Sequence, residues 1–349
     1  MPRSRAAAAI LRRTQSAPAP SGRTAALSIG LCAVIVAASV QEPRVLTIRL
    51  AAGRNEGEAA EALPSGPLEA EHRTLEIGLR AWVERQTSQR LGYVEQLYTF
   101  GDRDRVVGEA AALALPALVV AYLALAREAH PAGSTDAEWQ SWYRYFPWED
   151  WRQGKPSLLE PIEARLERWA AASGGEPERQ LREERVGLAF GRRGASWNEE
   201  LVLERYELLY EAGLVAEAAR DVGHAVATVD SAQGGATGAA MASDHRRILA
   251  TAIGRLRGKI KYRPVVFELM MPAFTLLQLQ RTVEALAGVR LHKQNFRRLV
   301  EQQGLVEETG EISAATGGRP ARLVRFRREV LLERPAPGLR LRAGRRAGL

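Results

Sequence analysis

The sequence predicts an α+β protein in which a strand-rich N-terminal body is followed by a C-terminal winged helix-turn-helix domain. Three observations carry this. Apolar runs at Leu31–Val36, Val45–Leu50 and Ala117–Leu125 have the length and composition of buried strands. Between Thr275 and Gln303 two amphipathic patterns are separated by a short turn, and a Gly-containing hairpin pattern follows. The charge is uneven: from His245 to the end 22 Lys/Arg face 8 Asp/Glu, a surplus of 14, whereas the whole chain carries +8, so the residues before it carry −6. A basic third on a mildly acidic body is the charge pattern of a polyanion-binding module attached to another domain, although the solvated tail of an arginine-rich protein has the same pattern.

The elements follow in chain order. Residues 1–26 are Ala/Arg/Ser/Pro-rich and expected to be disordered. No acidic residue precedes Glu42, and Arg3, Arg5, Arg12, Arg13 and Arg23 lead into an apolar run, a pattern shared with export and organellar leaders. Against a leader, the run is β-branched, turns at Gln41-Glu42-Pro43 and is followed by a second run apolar on both faces, as two neighbouring buried strands are. Residues 27–133 form the first domain, with a loop at Gly53–Gly66 and a helix at Leu75–Gln86 that sets Leu75, Leu79, Trp82 and Val83 on one face. The apolar stretch Ala110–Ala126 is short of the roughly 20 residues a membrane helix needs and contains Pro116. No membrane span is expected. The single cysteine, Cys32, leaves no internal disulfide framework and no cysteine-based zinc finger, and it suits a reducing, cytoplasmic compartment.

Residues 134–230 read as an inserted connecting region. It opens with Trp139, Trp142, Tyr143, Tyr145, Phe146, Trp148 and Trp151. Such a cluster can form a cofactor cage or a stacking platform, but more often it anchors an insert to the body, which is the expectation here. A helix is expected at Leu158–Ala171, and one long amphipathic helix at Asn198–Ala219, suited to packing between domains or subunits. The Gly/Ala/Ser stretch 231–243 reads as a linker, 244–330 as the C-terminal domain and 331–349 as a basic tail.

In the C-terminal domain Asp244 is placed to cap a helix ending near Lys261. Thr275 and Gln278 have the spacing of a capping box, and Gly288 stops the helix they open. The next helix, Lys293–Gln303, puts Phe296, Leu299 and Val300 on its inner side and leaves Lys293, Gln294, Asn295, Arg297 and Arg298 outward. Arg and Lys donate to guanine, Asn and Gln pair with adenine, and all reach phosphate, so this face suits the major groove of double-stranded DNA. A hairpin around Thr316–Pro320 would be the wing, with Arg319 and Arg322 against phosphate. Two-fold operators need two such helices, hence a homodimer. Winged helices that bind only proteins share the pattern, and the salt dependence of DNA binding separates the two.

Several motifs carry a family resemblance. Tyr93-Val94-Glu95-Gln96-Leu97-Tyr98-Thr99-Phe100-Gly101-Asp102, Lys259–Leu269, Lys293–Arg298, and Thr309-Gly310 leading to Gly317–Ala321 resemble runs typical of Nudix-related transcriptional regulators of NAD metabolism. The likeness covers roughly 27–130 and 244–328; the aromatic insert and the 198–219 helix lie outside it. The resemblance implies an N-terminal Nudix-like α/β/α sandwich and a small-molecule effector, ADP-ribose or NAD, with control of genes for NAD synthesis or salvage, as a repressor. The family usually has Asp as the cap of the recognition helix, where this chain has His292.

Nudix hydrolases carry a Gly, a Glu six residues on, then an Arg-Glu pair and two further glutamates on one helix, whose carboxylates hold Mg²⁺. With the Gly at Gly66, the first Glu position holds His72, Arg80 matches the Arg, Ala81 replaces the next Glu, Glu84 is kept, and Arg85 and Thr87 replace the last Glu and Gly. One carboxylate beside Arg85 is a poor cage for a hard divalent cation. The expectation is therefore a sensor with no cofactor, no metal site and no catalytic residues, with Arg49, Gly66 and Arg80 nearest the effector diphosphate. The competing reading is a residual hydrolase of ADP-ribose-type dinucleotides.

Overall fold

The computed structural model describes residues 28–50, 60–101, 117–127, 136–221, 237–313, 320–333 and 338–339; the segment 1–26, the wing tip with Arg319 and most of the basic tail lie outside them. The body is a seven-stranded mixed sheet. Its spine is β1 (Ser28–Ala38), which runs parallel to β6 (Ala117–Leu125) and turns back at Gln41 into antiparallel β2 (Pro43–Leu50). Leu31–Ala37 have no exposed surface, because the sheet is covered on both faces. With the two-residue period, Leu31, Ala33 and Ile35 pack with Leu79 and Val83 of α1 (Leu75–Thr87). Cys32, Val34 and Val36 join a second core with Ile253 and Leu256 of α6 (His245–Tyr262). Helix, sheet and helix thus form the sandwich that the resemblance implies, but its second helix, α6, comes from residues expected within the C-terminal domain. Thr74 opens α1 by accepting from the Ile77 N–H at 3.1 Å, and Ser88 closes it in the left-handed region.

The edges hold what the sequence misses. Gly53–Gly66 is not all loop: β3 (Ala60–Ala62) pairs with β2, and β4 (Ser65–Pro67) pairs with β1. Ala-Glu-Ala and Ser-Gly-Pro have no strand propensity of their own, and pairing imposes the conformation. The insert also opens as a strand, β7 (Ala137–Ser141), on β2, while β5 (Tyr93–Phe100) closes the far side against β6.

The helical insert comprises α2 (Leu159–Ala171), α3 (Glu176–Ala189), α4 (Val202–Glu211) and α5 (Ala216–Asp221). The single helix expected at 198–219 is broken at Gly213, which sits at φ 68° between α4 and α5. Helix α3 has no continuous apolar stripe; pairs such as Arg182–Glu178 at 2.6 Å run along it, and Arg182 lies over the Trp169 ring. The aromatic cluster is an anchor, with Trp142, Tyr145, Phe146 and Trp148 fully buried. Residues 237–243, expected within a linker, are packed instead: Thr237, Ala239, Met241 and Ala242 are buried, and Ala239 N–H and Ala242 N–H donate to Arg144 O and Glu61 O. Asp244 precedes α6 without capping it through its side chain.

Beyond α6 come α7 (Leu276–Ala287), α8 (Lys293–Gln302), the hairpin β8 (Val306–Ser313) and β9 (Ala321–Phe326), and α9 (Val330–Glu333). Both halves of the Thr275/Gln278 capping box form, and Gly288 closes α7 at φ 72°. Of the tail, Leu339 is buried and donates its N–H to Ile260 O at the end of α6.

Candidate nucleic-acid interface

Helix α8 is fixed by two residues. Phe296 and Val300 are buried one turn apart, and Leu299 beside them is half-buried. That anchoring leaves Lys293, Gln294, Asn295, Arg297 and Arg298 all exposed on the opposite side. Among the described residues neither Lys293 nor Arg297 is in an ion pair, whereas Arg298 donates weakly to Asn295 Oδ1 at 3.4 Å. His292 precedes the helix in extended conformation and makes no side-chain cap, so the first-turn N–H groups of α8 are left to a ligand or to water. Positive side chains, amide side chains and a bare helix N-terminus on one face are a set that can take phosphates and base edges together.

The wing differs. Arg322 pairs with Glu308 at 2.8 Å and Arg325 with Glu307 at 2.6 Å across the hairpin, with Glu307 half-buried and the other three exposed. With Glu311 also exposed on β8, the described part of the wing is close to neutral. The acidic partners of the wing arginines escaped the sequence reading because cross-strand neighbours depend on register, which shifts between Glu308 and Ile312.

The three residues expected at the effector diphosphate each have partners within the fold. Arg49, at the end of β2, is exposed and pairs with Glu138 of β7 at 3.4 Å. Arg80 on α1 pairs with Glu76 at 2.8 Å and donates to the carbonyls of Leu91 and Gly92. Gly66 is buried under α1: a Cβ there would fall 2.2 Å from the Trp82 ring, whose Nε1–H donates to Pro67 O at 2.8 Å. Its glycine identity is required by that close approach. The remaining signature positions are equally committed. His72 and Arg85 both meet Glu69, Arg85 lies over the Trp82 ring at 3.9 Å, and Glu84 faces Arg90 at 3.3 Å. Among the described residues no three His, Cys, Asp or Glu are grouped to hold a metal. A groove of about 490 Å³ between α2 and Arg192 includes none of Arg49, Gly66 or Arg80.

Residues 266–326, which span α7, α8 and the wing, match the family model described as the NrtR DNA-binding winged helix domain. A curated relative, the ADPR responsive transcriptional repressor NtrR of Acinetobacter baylyi, is 43% identical over 86 residues, 25% of this chain. The chain spans about a third of that relative's length, 34%. Two solved structures of Shewanella oneidensis NrtR, one complexed with a 27mer DNA and one without it, superpose on 86% of this chain and on 94% and 95% of theirs. Their identities are 20% and 19%, each with a TM-score of 0.51. No helix among the described residues is long and apolar enough to cross a membrane. The C-terminal domain is therefore an NrtR-type winged helix, carried on a chain with the fold of the Shewanella oneidensis NrtR.

Proposed function

We propose that this protein is a ligand-responsive transcription regulator, a repressor that binds double-stranded DNA through α8 as a homodimer and is controlled by ADP-ribose or NAD at the sheet domain. The observation that carries it is the outward face of α8, where Lys293, Gln294, Asn295 and Arg297 stand exposed over the buried anchors Phe296 and Val300. The matched domain family is described as DNA-binding, and the curated relative as a repressor responsive to ADPR. Genes for NAD synthesis or salvage are the targets that fit such an effector. Arg49 and Arg80 are the cations proposed for the diphosphate; Gly66 serves packing. The sheet domain acts as a sensor and not as a hydrolase, because Arg85 and His72 stand where carboxylates would hold Mg²⁺.

The test is selection of duplexes from a random-sequence pool by the full chain, followed by titration of the selected duplex at several salt concentrations. The expected result is one enriched two-fold sequence and a log-log salt slope of several units. No enrichment and a flat salt dependence overturn the proposal and leave a protein-binding winged helix.

A further inference from the structure

The end of α7 is held from outside the winged helix. The last carbonyls of a helix lack partners within it, and those of α7 find theirs elsewhere. Ala285 O accepts from the Tyr143 hydroxyl at 2.7 Å, Leu286 O from Arg257 Nε at 2.9 Å, and Gly288 O from the Trp151 N–H at 2.7 Å. The approach is close enough that a Cβ on Gly288 would lie 2.3 Å from Glu149 O. The Glu149 carboxylate is fully buried between Arg205 of α4 and Arg257 of α6, each at 2.6 Å. In the turn that leads to α8, Arg290 donates to Arg152 O at 3.2 Å, and the Leu291 N–H donates to Glu284 at 3.0 Å. The turn that aims the reading helix is thus gripped at both ends.

The gripping segment is continuous with the sheet. Strand β7 pairs with β2 from Ala137 to Ser141 and passes directly into Trp142. Arg152 pairs with Asp150 at 2.8 Å and also donates to Gln41 O in the turn between β1 and β2. Arg49 lies at the other end of β2, against β7 residue Glu138. Burial pushes the Tyr143 phenol up, so it remains a donor at neutral pH.

We propose that Trp142–Arg152 is the transmission element between the sheet and α8, with Tyr143 and Arg152 as positioning residues that act on DNA affinity through the end of α7. The inference rests on the ligand-responsive reading above and adds the route. A helix end with two carbonyls committed to that segment, and a third to Arg257 that the segment's Glu149 holds, follows the segment, because packed elements switch between arrangements rather than stretch.

The experiment uses the full chain, the duplex selected by the wild type, and ADP-ribose. Tyr143→Phe removes one hydroxyl and keeps the ring; Arg152→Gln removes the links to Gln41 and Asp150. In the wild type ADP-ribose is expected to change duplex affinity by about 5- to 150-fold. Each variant should keep ADP-ribose affinity, measured without DNA, and thermal stability near wild type, while that ratio falls toward one. Variants that keep the wild-type ratio overturn the route and leave the regulator reading intact. A wild-type ratio of one with ADP-ribose, and again when NAD replaces it, overturns both. Hydrogen exchange of wild-type residues 289–292 gives a readout free of substitution: protection should change when ADP-ribose is added, and identical exchange with and without it overturns the route.

Discussion

Helices α8 and α1 each carry a motif in the sequence, yet they spend their charges in opposite ways. On α8 the inner face does the packing through Phe296 and Val300, and Lys293 and Arg297 stay outside any ion pair among the described residues. On α1 the charges are used within the fold: Arg80 on Glu76 and two carbonyls, Arg85 on Glu69 and Trp82, Glu84 on Arg90. A helix whose cations lack carboxylate partners keeps them available for an anionic partner, whereas on α1 each cation already has partners within the fold with which a ligand would have to compete. The wing falls between, with arginines present but matched by Glu307 and Glu308.

The comparison is sharpened first at the anchor. Phe296→Ala should destabilise the protein by about 3–5 kcal/mol, seen in chemical denaturation, because it empties the buried side that fixes α8. Next, Arg297→Ala and Lys293→Ala should each weaken binding to the selected duplex by about 1–3 kcal/mol, with relaxed preference at one base position. Variants that bind as wild type does would mean that another face meets DNA. On the wing, Arg322→Ala should cost less than about 1 kcal/mol in duplex affinity, since the side chain already has a carboxylate partner. Glu308→Gln should tighten binding at low salt, an effect that fades as salt is raised. A larger loss from Arg322→Ala than from Arg297→Ala would reverse the ranking. The smallest effect is expected on α1, where Glu84→Gln should shift stability by no more than about 0.5 kcal/mol. Incubation with ADP-ribose and Mg²⁺ should give the same background from both proteins; turnover that vanishes in Glu84→Gln would restore the hydrolase reading.

What the sequence made legible follows from where the signal is local. The capping box at Thr275 and Gln278, the stop at Gly288 and the face split of α8 are set by spacing along one helix, and each is found in place. The strand Ala117–Leu125 was legible because burial on both faces demands an unbroken apolar run. Non-local effects were not legible. Strands β3 and β4 owe their existence to β2 and β1, and the break at Gly213 interrupts a pattern whose apolar spacing continues on both sides. Residues 237–243 have the composition of a linker, yet the buried Arg246 reaches Thr237 O and Tyr145 O and holds them in the core. Gly66 was read as a signature glycine near the effector diphosphate; that the Trp82 ring closes on it depends on how α1 packs and was not legible.

The central claim is that ligand at the sheet domain and DNA at α8 share one free energy. Calorimetric titration of ADP-ribose into the full chain, alone and saturated with the selected duplex, measures it directly. The account predicts ADP-ribose affinities that differ by about 5- to 150-fold between the two titrations, the same factor by which ADP-ribose alters duplex affinity. Equal affinities in both titrations, for NAD as for ADP-ribose, would contradict it, and the sheet domain would then be a scaffold for the winged helix rather than its input.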